Sequence, residues 1–364
     1  MVVLQLGPYP PPHGGVQTNL VAIREHLRRT GIRAPVINLT RHRRPEADEI
    51  YYPNTALQVL RLVLTIPADV IHLHVGGRLT ARLLALCLFC SLIRGRRTVL
   101  TLHSGGYPGS QRRDPGALSL RGFIFRRLDA IIAVNAEIAT LFQCFGVPSS
   151  RIHVICPFAP VTVRDDAPLP DAVEHFRQTH SPLLTTIGLL EPEYDVALQV
   201  RSLGTVRQIF PDAGLVVIGG GGSLEAELRA LLAADPTGEH VLLCGDVPHA
   251  DTLRILAASD AFLRTTLYDG DSVSVREALQ LGVPVIASDN GMRPAGVHLI
   301  PRSDSSALIQ AIQAVLSGRN RHTPPVPAAD GALHEVLDLY RRLTSADIRI
   351  TSTRVTNVIG SKIS

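Results

Sequence analysis

Residues 261–288 read AFLRTTLYDGDSVSVREALQLGVPVIAS. Ala261–Arg264 is a short apolar run of strand length, and Tyr268–Asp271 is a polar loop broken by Gly270. Residues 273–281 read as a helix; Ser272 is placed to cap its start, and Gly282 with Pro284 ends it. Val283–Ala287 is a second apolar run. Neither run alternates apolar with polar residues. Strand, helix and strand of this kind make a parallel sheet that is covered on both faces.

The same unit recurs along the chain. Val2–Leu6 reads as a first strand, followed by Gly14-Gly15 and a helix over Val16–Arg29 with Leu20, Ile23 and Leu27 on one face. Pro35–Leu39, Asp69–His74, Arg97–Leu102, Asp129–Val134 and Ile152–Cys156 read as further strands, with helices over 79–93 and 136–145. Pro157–Pro182 holds five prolines and several acids, the composition of a linker. A second series then begins, with strands at Leu183–Gly188, Gly214–Ile218, His240–Cys244, Ala261–Arg264 and Val283–Ala287. Its helices are expected over 195–209, 224–234, 249–257, 273–281 and 304–317. Gly318–Pro327 is a polar connector leading to an amphipathic stretch, Leu333–Leu343, and Thr344–Ser364 has no helical stripe and is expected to fray.

The expected fold is therefore α/β, with two Rossmann-like, doubly wound parallel-sheet domains. The first covers 1–160, a linker 161–182 and the second domain 183–325. A helix over 326–344 would cross back to the first domain, leaving 345–364 as a tail. Ligands bind such sheets at the carboxyl ends of the strands, so two that face each other would make a cleft.

Composition narrows the function. The chain has 364 residues, 45% hydrophobic and 19% charged, which suits two cores and not a disordered chain. Residues 1–160 hold 19 arginines against 8 acids, whereas 161–364 hold 17 basic residues against 24 acidic ones. A basic first half points to an anionic partner. Nucleic acid is disfavoured by an aromatic content of 4% and the lack of a recognition motif. Arg24, Arg28 and Arg29 recur at helical spacing, Arg41-His42-Arg43-Arg44 follows the second strand, and Arg94, Arg96 and Arg97 flank a Leu-rich helix. Such a surface could sit on anionic lipid, or it could be a plain solvated face.

The longest apolar run, Leu83–Ile93, is about half a bilayer span, and Met1–Leu6 lacks the basic leader of a signal peptide. The five cysteines include Cys87 and Cys90 inside that apolar run, which reads as core. A cytoplasmic protein, peripheral on the membrane if bound to it at all, is the expectation.

Three places could carry chemistry. Gly14-Gly15, between a strand and a helix, lets backbone N–H groups approach an anion. Gly219–Gly222 does not meet the dinucleotide pattern, because the sixth position is Leu224, and Glu225 and Glu227 load the following helical turn with negative charge. Those glycines read as lining rather than as a phosphate cradle. The third place is the opening stretch. Asp269 precedes the helix, Glu277 lies eight residues on, and the N–H groups of Gly270 to Val273 point at an anion between them. That arrangement suits a nucleotide-sugar: carboxylates accept from hydroxyls while amides take the diphosphate. Asp269-Gly270-Asp271 also has the form of a divalent-metal D-x-D, and Glu277 could be an ordinary solvated helix residue. His72 and His74 share one strand face and with His103 could suggest zinc, but no fourth ligand has a usable spacing.

Asp269-x7-Glu277, with Ala278-Leu279 and Gly282-Val283-Pro284-Val285-Ile286-Ala287-Ser288, resembles the E-x7-E region of retaining glycosyltransferases of family 4, which have the GT-B fold. Gly14-Gly15-Val16, Asp69–His74, Thr101-Leu102-His103-Ser104, Ala133-Val134-Asn135 and Ile187-Gly188-Leu189-Leu190 extend the resemblance through nearly the whole chain.

The resemblance implies a role for each residue. Gly14 and Gly15 would contact the donor's phosphate or sugar, and His103 would face the transferred sugar. Asp269 would bind sugar hydroxyls with help from the amides of Asp271, Ser272 and Val273, and Glu277 would hold the ribose. The implied reaction is metal-independent transfer, with retention, from a nucleotide-diphosphate sugar to a glycan or lipid-linked acceptor. No cofactor is expected.

One departure matters. The family's second domain opens with an Arg and a Lys that clamp the diphosphate, and Leu189 and Tyr194 stand in their places. Arg264, Arg276 and Arg293 are the candidate replacements, and Arg264 is the best placed because it ends its strand. Without a replacement the chain would be a silent donor-binding partner subunit; a sugar-nucleotide epimerase or hydrolase is the other alternative.

Overall fold

The computed structural model describes the chain except His42, Arg78, 104–115, 157–160, 162, 164–166, 319–330 and 360–364, with the backbone alone over 346–359. Ser104, part of the proline-rich linker and most of the Gly318–Pro327 connector therefore lie outside the described residues. The chain divides into two compact units. One comprises Met1–Tyr9, Asn19–Ala159 and Asp330–Ser364, the other Pro10–Thr18 and Pro160–Ala329.

The first unit is a parallel sheet in the order β3-β2-β1-β4-β5-β6-β7. Its strands are β1 (Val3–Gly7), β2 (Val36–Asn38), β3 (Ile50–Tyr51), β4 (Val70–Val75), β5 (Arg97–Leu102), β6 (Ala130–Ala133) and β7 (Ile152–Val154). Helices α2 (Ala56–Thr65), α3 (Ala81–Ser91), α4 (Leu120–Phe125) and α5 (Ala136–Cys144) supply Val63, Leu84, Phe125 and Phe142 to a core with Leu4, Leu73 and Leu100. Cys87 and Cys90 are buried in that core, and burial pushes both thiols up to about 12. The opposite sheet face is covered by α1 (Gly15–Arg29), through Ile23 and Leu27, and by α12 (Gly331–Ile359), through Leu337 and Tyr340.

The second unit holds a parallel sheet in the order β10-β9-β8-β11-β12-β13. The strands are β8 (Leu183–Ile187), β9 (Gly214–Ile218), β10 (Val241–Gly245), β11 (Ala261–Arg264), β12 (Val285–Ser288) and β13 (Val297–Ile300). Helices α7 (Val196–Arg207), α8 (Glu225–Ala234) and α11 (Ser305–Leu316) pack on one face. The other face carries α6 (Asp171–Thr179), α9 (His249–Ala257) and α10 (Val273–Gln280).

Most expected elements form within two residues of where the apolar runs place them. Five escape the pattern: β3, β13, α2, α4 and α6. β3 has two residues and β13 is an edge strand, so neither needs an apolar run. α6 lies in the stretch expected to be linker; Val173 and Phe176 tether it to Leu183 and Ile255. The tail expected to fray is corrected as well, since α12 stays helical to Ile359.

Candidate active site

The winding of the second sheet reverses between β8 and β11. Ligands bind doubly wound sheets outside the carboxyl ends of the strands at such a switch point. Two features meet there, Gly188 after β8 and Arg264 at the end of β11. Arg264 is buried, and its Nη1 donates to the Ile187 carbonyl at 2.6 Å. Its guanidinium carbon lies 5.0 Å from the centre of the Tyr194 ring, within cation–π range. That ring lies over Gly188 so closely that a Cβ there would come within 2.2 Å of it, so any larger residue would displace the ring. The position where the resemblance expects a lysine thus holds an aromatic floor beneath an arginine.

Asp269 is the centre of the arrangement. Its Oδ2 accepts from Arg264 Nε at 3.0 Å, from Arg293 Nη1 at 3.0 Å and from Thr266 Oγ1 at 3.1 Å. Arg293 is itself fixed, donating from Nε to the Ser288 carbonyl at 3.0 Å and from Nη2 to Thr266 Oγ1 at 2.7 Å. Burial alone would raise the Asp269 carboxyl, but Arg264 and then Arg293 outweigh it and hold it below the usual carboxylate range. Its stabilising contribution is therefore present above about pH 4 and is lost as acid protonates it below that. Two guanidinium groups share one carboxylate, so one positive charge is left over. Oδ1 takes no hydrogen bond among the described residues.

Glu277 repeats the pattern. It is 3% exposed, which removes the solvated-helix reading. Its Oε1 lies 2.7 Å from His249 Nε2, and Oε2 has no partner among the described residues. Each acid thus has one oxygen anchored by protein donors and one left open.

The neighbouring residues divide differently. Both Asp271 oxygens are taken by Arg276, at 2.6 Å and 2.8 Å, so neither side chain is free for a ligand. Ser272 holds the N-cap position of α10, but its hydroxyl meets Ser274 Oγ at 3.2 Å and does not cap the backbone. Among the described residues no side chain caps the first-turn amides, which lie at the positive end of the helix. Gly15 groups with this unit, and a Cβ added to it would meet Val273 Cγ2 at 3.5 Å. A Cβ added to Gly14 would meet Gln17 Oε1, in the first turn of α1, at 3.0 Å.

The Gly219–Gly222 loop serves backbone packing. Gly219 has φ +106°, and a Cβ on it would lie 2.2 Å from the Gly188 carbonyl oxygen. Gly221 N–H donates to Glu225 at 3.0 Å, so the chain's own carboxylate occupies the place an anion would take.

His103, in the first unit, follows β5, and its N–H donates to the Val75 carbonyl at 2.8 Å. His72 is bonded on both sides, to Thr101 Oγ1 at 2.7 Å and to the Tyr340 hydroxyl at 2.6 Å. The His74 ring nitrogens and His103 Nε2 are buried with no hydrogen-bond partner among the described residues. Among the described residues no group of three His, Cys, Asp or Glu is arranged to hold a metal. Burial pushes His72 and His103 down to about 3, and His74 well below its ordinary value.

These rings stay neutral in the fold, while the unfolded chain ionises them below about pH 6.5. The unfolded state then binds more protons, so stability falls as pH drops through that window. The expected loss is on the order of 2 kcal/mol per histidine by pH 5. Denaturant melts between pH 7.5 and 5 check it: a flat profile would mean that these rings do not stay neutral in the fold.

Sequence reasoning placed Asp269, Glu277 and Arg264 in one unit, and named Arg293 as an alternative cation. It missed Thr266, His249 and the aromatic role of Tyr194. None of these has a spacing signal; all three contacts depend on which loops the sheet brings together.

Both halves of the chain match models of sugar-transferring enzymes. Residues 13–162 match Glycosyltransferase Family 4, and residues 181–318 match Glycosyl transferases group 1. The chain belongs to the group 1 glycosyltransferases of family 4.

Among curated relatives it is 26% identical over 211 residues to a GDP-mannose-dependent alpha-(1-6)-phosphatidylinositol monomannoside mannosyltransferase of Mycolicibacterium smegmatis, covering 53% of this chain and 54% of the relative. A protein of the same description from Mycobacterium tuberculosis is 24% identical over 330 residues, 82% of each chain. The chain spans about half the length of the first of these relatives. The fold is GT-B. It is shared with Anabaena HepE, solved with UDP-glucose, at a TM-score of 0.70 and 17% identity over 95% of this chain and 99% of that one. It is also shared with the catalytic domain of Arabidopsis thaliana starch synthase IV, at a TM-score of 0.68 and 14% identity, over 95% of this chain and 99% of that one.

Proposed function

We propose that the protein transfers a hexosyl group from a nucleotide-diphosphate sugar to a lipid-linked or glycan acceptor, with retention at the anomeric carbon and without a metal ion. The observation that carries this reading is the pair of half-anchored acids. Asp269 Oδ1 and Glu277 Oε2 take no hydrogen bond among the described residues, and the first-turn amides of α10, uncapped by Ser272, lie between the two residues in sequence. Oδ1 would accept from a donor-sugar hydroxyl, Oε2 from the ribose, and the amides would take the diphosphate.

The excess positive charge of the Arg264–Asp269–Arg293 group stands in for the clamp that Leu189 and Tyr194 cannot form. It would stabilise the departing diphosphate and leave the sugar carbon to develop oxocarbenium character. His103 and the Gly14-Gly15 loop are assigned by resemblance to the transferred sugar and the donor phosphate. GDP-mannose is the favoured donor, because the relatives of Mycolicibacterium smegmatis and Mycobacterium tuberculosis are described as using it.

The purified protein should release nucleotide from one member of a UDP-, GDP- and ADP-sugar panel only when a lipid or glycan acceptor is present. Release without acceptor would mark a hydrolase, and binding without release a silent subunit. Transfer should survive EDTA: Asp271 is occupied by Arg276, and Asp269 Oδ2 by two arginines. Activity lost to EDTA and restored by Mg²⁺ or Mn²⁺ would revive the metal reading.

We further propose that the protein works at the cytoplasmic face of a membrane, in glycolipid or surface-polysaccharide assembly. No helix among the described residues is long and apolar enough to span a bilayer. Part of the basic patch expected from sequence is neutralised: Arg24 and Arg28 pair with Asp48. The other helix layer of the first unit supports the reading better. Leu57, Leu64, Leu92, Leu118, Leu120 and Phe123 are exposed there, and α2, α3 and α4 contain no acid. Exposed Arg61, Arg82 and Arg94 flank them. Apolar side chains beside unopposed arginines suit an anionic interface. The protein should float with anionic vesicles and not with neutral ones, less so in high salt; equal behaviour with both would remove the proposal.

A further inference from the structure

The contact between His249 and Glu277 has a consequence beyond folding. His249 is the first residue of α9, and its Nε2 lies 2.7 Å from Glu277 Oε1 in the neighbouring α10. A carboxylate oxygen accepts here, so His249 Nε2 carries the hydrogen of this contact. Glu277 is buried, on a helix whose Val275, Ala278 and Leu279 are packed with Leu256 of α9. A carboxylate withdrawn from water needs a donor, and His249 is the one its side chain meets among the described residues. With Oε1 held, rotation about the terminal side-chain bond is arrested and Oε2 faces one direction.

We propose that His249 is a positioning residue. By fixing Oε1 it aims Oε2 at a ribose hydroxyl of a bound nucleoside diphosphate, and so raises selectivity for a ribonucleotide without touching the nucleotide itself. The inference rests on the reading of Glu277 as the ribose ligand. Its physical content is pre-organisation: a free carboxylate would have to be ordered when the nucleotide binds, whereas this one is ordered beforehand. The effect belongs to the hydroxyl contact alone, which separates it from a general contribution to folding.

The test compares binding of GDP, UDP or ADP, whichever the protein binds most tightly, with binding of its 2′,3′-dideoxy counterpart by calorimetry. Wild type should prefer the ribonucleotide. His249→Leu and His249→Ala, which remove the donor at two different volumes, should cut that preference by about tenfold, the scale of one hydrogen bond to a charged group. Binding of the dideoxy nucleotide should change by less than about twofold, because the lost contact involves only the hydroxyls. His249→Gln places an amide N–H near the lost Nε2 and should restore most of the preference. Adding His249→Leu to Glu277→Gln should remove nothing further.

If Glu277→Gln abolishes the preference and the His249 variants leave it intact, or weaken both nucleotides equally, the positioning role is overturned and the ribose reading stands. If Glu277→Gln keeps the full preference, the ribose reading fails and takes the inference with it. A wild type that binds none of the three diphosphates overturns both.

Discussion

Arg264→Ala should lower kcat by about two to three orders of magnitude, the scale of losing one fixed stabiliser of developing negative charge. Among the described residues the guanidinium meets Asp269, the Ile187 carbonyl and the Tyr194 ring. Removing it deprives the carboxylate group of its surplus positive charge and leaves one Asp269 oxygen to Arg293 and Thr266. Lys at this position should rescue only in part, because a point charge cannot bridge carboxylate and carbonyl as a planar fork does. Arg293→Ala should cost less, since Arg264 alone lies at the strand end. Arg276→Ala should cost least, its guanidinium being turned to Asp271. Steady-state rates with the active donor decide the matter: three alanine variants with wild-type kcat would dismiss the arginine clamp.

Asp269→Ala should be damaging in two ways. It takes away the sugar-hydroxyl acceptor, so transfer should fall to background. It also leaves Arg264 and Arg293 buried side by side without a counter-charge. Breaking a buried pair by removing one partner costs on the order of 3–5 kcal/mol. Thr266 and the Ile187 and Ser288 carbonyls still accept from the arginines and should hold the loss toward the lower end. Asp269→Asn keeps the shape and one acceptor oxygen, and should fold better than the alanine variant while remaining nearly inactive. Urea unfolding and turnover, measured on both variants, separate the two effects. An alanine variant as stable and as active as wild type would mean that Asp269 is neither a sugar ligand nor the counter-ion of this cluster.

These two residues also mark how far sequence reading reaches. The eight-residue interval between Asp269 and Glu277 lies within one loop and helix, so it is visible in one dimension. The sharing of Asp269 between Arg264 and Arg293 is not. Arg264 ends β11, whereas Arg293 follows β12, and they converge because parallel pairing of Phe262 with Val285 and of Arg264 with Ala287 sets both strand ends level. The partners of Arg264 were hidden for the same reason, because besides Asp269 they come from the end of β8 and from the turn at Tyr194. His249 was invisible because it belongs to the preceding βα unit and reaches Glu277 only through helix packing.

The sequence by itself determined the two α/β units, the strands whose apolar runs are buried on both faces, the acid pair and the absence of the usual cationic clamp. Those properties depend on local periodicity and on near neighbours, which chain order preserves. Only the tertiary structure decided which oxygen of each acid is already taken, which arginines are spent on the chain's own carboxylates, and which glycines make room for a neighbour. Ionic and hydrogen-bonding partners are chosen by distance, and the distance between strand ends is set by sheet register and winding rather than by separation along the chain.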